Sequence, residues 1–313
     1  MEAGAAARVA PRAPSLRAAR RRYGEQVIKG LLFIAALISI LTTTGIVVSL
    51  LQETFVFFGD VGIGDFLTGT DWSPTIKPYS FGVLPLVSAT FLLTAIAMAV
   101  AIPLGLGAAI YLSEYARPRV RKTLKPALEL LAGVPTIVFG YFALVFFTPN
   151  VLQDLLHVKV NVFNALSAGI IMGFMVVPTV ASVAEDAMSA VPQSLREGSF
   201  GLGASKLQTS LRVVFPAALS GIVASVVLGA SRAVGETMIV LVAAGNLPNL
   251  TGDPREPIQA MASYIAAIGK GDVATGSTQY KTIFAVGTLL FVITLVLNAT
   301  SIRFVRKYRQ VYE

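Results

Sequence analysis

Residues 83–112 read VLPLVSATFLLTAIAMAVAIPLGLGAAIYL, with no charged side chain anywhere in the stretch. About 20 apolar residues in a helix cross the roughly 30 Å of bilayer hydrocarbon. A helix satisfies its own backbone groups there, where water cannot. The stretch is therefore a membrane span, and five more flank it, approximately at 27–51, 127–148, 163–183, 217–245 and 282–302. The spans at 83–112 and 217–245 exceed the minimum length, which implies tilt or extension beyond the bilayer. Pro103, Pro135 and Pro178 fall in or near spans, where neighbouring groups satisfy the carbonyls that proline frees.

The composition agrees. Hydrophobic residues make up 55% of the 313, charged residues only 13%, and the mean hydropathy is +0.72. A soluble domain has about a quarter of its residues charged. The expected fold is an all-α membrane protein of six transmembrane helices.

Basic residues set the orientation. Arg8, Arg12, Arg17, Arg20, Arg21, Arg22 and Lys29 precede or open the first span. Arg117, Arg119, Arg121, Lys122 and Lys125 follow the second, and Arg196, Lys206 and Arg212 follow the fourth. Arg303, Arg306, Lys307 and Arg309 end the chain, while the opposite side has only Lys77, Lys159, Arg255, Lys270 and Lys281. A ratio of 19 to 5 places both termini in the cytoplasm. The reading divides the chain into a disordered basic cytoplasmic N-terminus (1–26), a six-helix transmembrane domain (27–302) and a cytoplasmic tail (303–313). The apolar run at 27–51 is longer than the core of a signal peptide.

Several function classes fall away. The net charge of +8 is spread over every cytoplasmic edge rather than gathered in one patch, so nucleic acid is not an expected partner. There is no cysteine, and the single histidine, His157, lies in a short loop beside Asp154 and Lys159, where a solvated side chain is expected. No GxxxxGK[ST] loop occurs; GLGASK at 201–206 has the wrong spacing for a triphosphate. No cofactor is expected. If the chain drives transport, a separate ATPase or an ion gradient supplies the energy.

The longest cytoplasmic loop, 187–216, looks helical. Ser194 and Glu197 have capping-box spacing, Pro192 stops a helix entering from the fourth span, and Gly203 fits a helix C-terminus. Leu207, Leu211 and Val214 then form an apolar stripe, and Pro216 opens the fifth span. Within that span, SRAVGETM at 231–238 places Arg232 and Glu236 four residues apart, on one face of a continuous helix. A charge in hydrocarbon costs about 2.5–3.5 kcal/mol on insertion scales, so the pair is expected to face a cavity or the bundle interior. The two side chains either hold each other for packing or line an anion path, since the guanidinium fork suits phosphate oxygens. Gly221, Ser225, Gly229 and Ala233, each four apart, form a small-residue stripe for close helix packing.

The spacing Glu197, Gly203, Val213, Phe215, Pro216 resembles the EAA loop of ABC importer permeases, with Gly198 and Ser199 in the two alanine positions. With DFLTGTDWSP (65–74), FGVLPL (81–86), AIPLGLGAAIYLSEYA (101–116), LELLAGVPTIVFGYFAL (128–144) and SRAVGET, the chain is similar to PstC-type permease subunits of phosphate ABC importers. The resemblance covers nearly everything from residue 25 onward. It implies a MetI-like permease fold in the cell membrane. It also implies a PstA-type second permease, two cytoplasmic PstB-type ATPases and an extracytoplasmic PstS-type phosphate-binding protein as partners. Hydrolysis belongs to the ATPases, so this chain is not itself an enzyme. The resemblance assigns phosphate passage to Arg232, Glu236 and Thr237. ATPase coupling goes to Arg196, Glu197, Gly198, Ser199, Gly203 and Pro216. The alternatives are the PstA-type sister, a sulfate or molybdate permease, or an ion-coupled secondary transporter; no internal repeat supports the last.

Overall fold

The computed structural model describes residues 23–271 and 273–308, and these are mostly helical. The expected disordered segment lies outside the described residues up to position 22. Residues 23–26 already belong to the first helix, α1 (Tyr23–Asp60). The chain divides into two units, residues 1–49 and 50–313. The described part of the first unit is one helix, uncharged from Gly30 onward; α1 continues into the second unit as far as Asp60.

In the second unit, α2 (Ile63–Thr68) and a two-stranded hairpin, β1 (Trp72–Ser73) with β2 (Ser80–Phe81), precede α3 (Leu84–Ile110). The last turn of α3 is π-wound over Tyr111–Tyr115. Then come α4 (Pro118–Ala132), α5 (Thr136–Phe142) with a π-wound extension over Ala143–Leu155, and α6 (Ala165–Ser189). Short helices α7 (Gln193–Gly201), α8 (Lys206–Thr209) and α9 (Phe215–Ala217) lead into α10 (Leu219–Val234) and α11 (Met238–Ala243). The chain ends with α12 (Met261–Ile268) and α13 (Thr278–Tyr308).

Among the described residues five helical stretches are long and apolar enough to span a membrane: 24–60, 84–115, 136–155, 165–189 and 278–303. A sixth exists if 206–217 and 219–234, bent by 74° at Ala218, count as one span. Two boundaries differ from the sequence expectation. The third span starts at Thr136, not 127, because Gly133, Val134 and Pro135 break the chain and leave α4 as a separate basic helix with no buried residue. The fifth span is not continuous: α10 stops at Val234 and a new helix begins at Met238. The tail from 303 to 308 continues α13 rather than leaving it, and 309–313 lie outside the described residues.

The core forms where α6 packs between α3 and α10. Ala97, Met98, Ala101, Met172, Val176, Val180 and Ala233 are all buried there. Small residues set this closeness: a Cβ at Gly229 would lie 2.9 Å from Val180 Cγ2 and 3.0 Å from Val176 Cγ1. The stripe of Gly221, Ser225, Gly229 and Ala233 thus serves internal packing on α6. The start of α6 is closed by three bonds. Asn164 Oδ1 accepts from Ser167 N at 2.7 Å, and the carbonyls of Glu256 and Pro254 accept from Ala165 and Leu166. A second core gathers Phe57, Phe66, Trp72 and Tyr264, with Trp72 edge-on to Tyr264 at 5.0 Å between ring centres.

Candidate functional site

Beyond Ser189 the chain folds into a compact bracket. Pro192 serves as the N-cap of α7, so Ser194 and Glu197 lie inside the helix and make no capping bond. The expected capping box occurs one helix later: Ser205 Oγ accepts from Gln208 N at 3.3 Å while Gln208 Oε1 accepts from Ser205 N at 2.8 Å. Gly203 behaves as expected at the end of α7. Its φ is +82°, its N–H donates to Phe200 O, and Ala204 N–H donates to Ser199 O, closing a Schellman turn. Ser199 and Thr209 hydroxyls meet at 2.9 Å and tie α7 to α8. Lys206 lies 5.0 Å over the Tyr115 ring.

Arg196 anchors this bracket from within. It is only 9% exposed, and its Nη2 lies 2.8 Å from Glu114 Oε1 at the π-wound end of α3. Nη1 donates to Val191 O at 2.5 Å and Nη2 to Met188 O at 2.8 Å, which satisfies carbonyls at the end of α6. Arg196 therefore faces inward, while Glu197 and Gly198 are exposed and Ser199 is half-buried. The expected apolar stripe is split. Val214 is buried, but Leu207 and Leu211 are exposed and share the surface with Phe200 and with Leu202, which is 91% exposed. Pro216 is exposed in α9, just before the 74° bend.

Sequence reasoning missed a second ionic cluster at the same end of α6. Glu185 is fully buried and receives Arg121, and Lys125 Nζ at 2.7 Å, from α4. Lys125 also reaches Asp186 at 2.6 Å, and Ser189 Oγ donates to Glu185 Oε1 at 2.9 Å. Hydrogen bonds from Lys125 to Asp186 and then to Glu185 raise its pKa above the ordinary lysine value. The one legible signal was the pair Arg121 and Lys125, spaced four apart on a basic helix.

Arg232 and Glu236 do not pair. Arg232 is in the last turn of α10 and donates from Nη1 to Thr179 Oγ1 of α6 at 2.9 Å. Its other four N–H donors have no partner among the described residues. Glu236 lies after the helix break and is 8% exposed; its Oε1 accepts from Met238 N at 3.0 Å and Ile239 N at 3.2 Å. The carboxylate thus caps α11, and the shared helix face expected from the spacing does not exist. Thr237, half-buried at the break, donates to Gly235 O at 3.3 Å. Ser231 donates to Asn298 of α13 at 3.0 Å. His157 is exposed with φ 52°.

Comparison with known proteins places this architecture. Residues 101–310 match the family model described as "Binding-protein-dependent transport system inner membrane component". The chain is 35% identical over 248 residues to the probable ABC transporter permease protein YqgH of Bacillus subtilis, covering 79% of each chain. It is 30% identical to the phosphate transport system permease protein PstC of Haemophilus influenzae, over 91% of this chain and 94% of that one. Among solved structures, a chain of a bacterial alginate ABC transporter in complex with a pentasaccharide-bound periplasmic protein superposes with a TM-score of 0.64. That alignment has 14% identity and covers 94% of this chain and all of that one. A chain of the inward-facing MetNI methionine ABC transporter superposes at 0.53, with 18% identity, 73% of this chain and 95% of that one. This chain belongs to the family of binding-protein-dependent transport system inner membrane components, the membrane permeases of ABC transporters.

Proposed function

We propose that the chain is one of two permease subunits of an ATP-driven importer of inorganic phosphate. The relatives named PstC, matched over most of both chains, supply the substrate class. The observation that carries the reading within this chain is Arg232, a half-buried guanidinium in an apolar span that spends one donor on Thr179. An arginine kept this way in a membrane faces water, an anion or a partner subunit. Its planar fork matches two oxygens of a phosphate. Glu236 and Thr237 sit at the adjoining break, and the PstA-type partner would complete the path.

The bracket of α7 and α8 is the coupling element. Its exposed crest of Glu197, Gly198, Phe200, Leu202, Leu207 and Leu211 faces away from the chain, as a surface for a PstB-type ATPase requires. Arg196, Ser199, Gly203 and Pro216 hold its shape. In this reading there are six spans with both termini cytoplasmic, the bracket lies in the cytoplasm, and a PstS-type protein delivers phosphate from outside. ATP-driven closure of the ATPases moves the brackets and reorients the spans.

The test is transport by the assembled complex, this chain with its second permease, ATPases and binding protein, in proteoliposomes. Uptake of labelled phosphate that requires ATP, and that excess sulfate or molybdate leaves unchanged, is the expected result. ATP-driven uptake of sulfate or molybdate in place of phosphate contradicts the substrate, and uptake driven by an ion gradient without ATP contradicts the class.

A further inference from the structure

We infer that Thr179 is the second member of the anion station that Arg232 begins. This rests on the reading of Arg232 given above. The Thr179 hydroxyl accepts from Arg232 Nη1 at 2.9 Å, and among the described residues it donates to nothing. Many helical threonines of this chain instead donate back along their own helix. Thr90, Thr94 and Thr300 all donate to the carbonyl four residues back, each at 2.7 Å. In an apolar span a hydroxyl proton without an acceptor is costly, so a site that leaves one is built to give it to something else. The same holds for the four remaining donors of Arg232.

The contrast with Arg196 is direct. Arg196, more deeply buried than Arg232, donates from all three nitrogens, to Glu114, Val191 O and Met188 O. Each of its three nitrogens has a protein partner, and these partners account for it. Arg232 keeps four N–H donors and Thr179 its O–H, and the two side chains are held together by one bond across α10 and α6. Neighbouring donors that form no ion pair among the described residues suit a tetrahedral oxyanion, which offers acceptors in several directions.

The rest of that α6 face supports a path rather than an isolated contact. Ser182, Asp186 and Ser189 follow Thr179 by three, seven and ten residues, within one helical sector. They are half-buried or exposed, whereas Val180, Ala181, Ala184 and Glu185 between them are buried. The face starts at the guanidinium and ends, about 10 Å along the axis, where Lys125 binds Asp186. Thr179 is thus the polar group of α6 that is bonded to Arg232, and its hydroxyl helps to hold an oxyanion before release.

The complete transporter carrying Thr179→Val, Thr179→Ser or Arg232→Gln tests this, with labelled inorganic phosphate as the probe and rates normalised to assembled complex. Valine keeps the shape and removes the hydroxyl; serine keeps the hydroxyl. Thr179→Val is expected to lower phosphate delivered per ATP hydrolysed about tenfold, the effect of one charge-assisted hydrogen bond. Thr179→Ser is expected to stay within about twofold of wild type, because the hydroxyl bond is kept. A purely structural threonine would instead show equal losses for valine and serine, and that outcome overturns the proposal. Wild-type coupling in Thr179→Val beside a non-transporting Arg232→Gln also overturns it while leaving Arg232 in place. Normal transport by Arg232→Gln would remove the anion station altogether.

Discussion

Arg196 of α7 and Glu114 at the end of α3 form a buried ion pair 2.8 Å long between residues 82 apart in sequence. Through this pair, and through the Met188 and Val191 carbonyls, the bracket that carries the exposed Phe200 and Leu202 is fixed to the ends of two spans. Force applied to the bracket therefore reaches α3 and α6 without passing through a flexible loop.

Removing one partner of such a pair leaves the other charge buried, at a cost of about 3–5 kcal/mol. Arg196→Ala is expected to lower the Tm of the assembled complex and to speed amide exchange across α7. Glu114→Gln, which keeps an acceptor, should be milder. Unchanged exchange in α7 of Arg196→Ala would show that the bracket is held by something other than this pair.

Gly203 makes a narrower prediction. Its φ of +82° costs a residue with a Cβ about 1–2 kcal/mol, and no neighbour lies within 4 Å of an added Cβ. Gly203→Asn should be tolerated, and Gly203→Val should destabilise the Schellman turn by more than Gly203→Ala. Thermal unfolding that ranks alanine and valine equal to asparagine would contradict the conformational explanation.

The Glu185 cluster ties α4 to α6, and charge governs it. Glu185→Gln keeps the size but removes the charge that Arg121 and Lys125 share. Faster amide exchange in α4, with α10 unaffected, is the expected outcome. Because the Lys125 pKa is raised in the fold, its contribution is fully present below the ordinary lysine value of about 10.4. It is lost only as pH rises through the raised value. Protection of α4 should accordingly stay constant from pH 6 to pH 9, and a loss within that window would point to a different titrating group.

At the helix break, Glu236 Oε1 accepts from both Met238 N–H and Ile239 N–H. Glu236→Gln puts an amide oxygen where the carboxylate oxygen accepts from Met238 and Ile239 N–H, and should keep stability and transport. Glu236→Ala should cost about 1 kcal/mol, as a lost N-terminal cap does. A Glu236→Gln variant that is stable yet fails to transport would restore a charge role for this carboxylate.

Much of this was legible in the sequence. Uncharged runs such as 83–112 announce spans because nothing else in a protein uses so many apolar residues in a row. The positive φ of Gly203 was readable because the residue follows a helical pattern and precedes another. The capping box was misplaced because SxxE at 194–197 and SxxQ at 205–208 carry the same signal. Only the structure shows that Pro192 has already begun α7, leaving Ser194 inside it. The break after Val234 was hidden for a related reason. Gly235, Glu236 and Thr237 are a short interruption between two mostly apolar stretches, and the break depends on the Glu236 carboxylate reaching two N–H groups of the next helix. Glu114, Glu185 and Thr179 were invisible because their partners lie 82, about 60 and 53 residues away.

In the proposed transport path, Arg232 offers its unpaired donors to a passing phosphate. The direct measurement is phosphate uptake and ATP hydrolysis by the reconstituted complex carrying Arg232→Gln. Uptake is expected near background, at least about a hundredfold down, the scale of losing a bidentate charge-assisted contact, with assembly and binding-protein-stimulated ATP hydrolysis retained. Wild-type uptake by Arg232→Gln would contradict it.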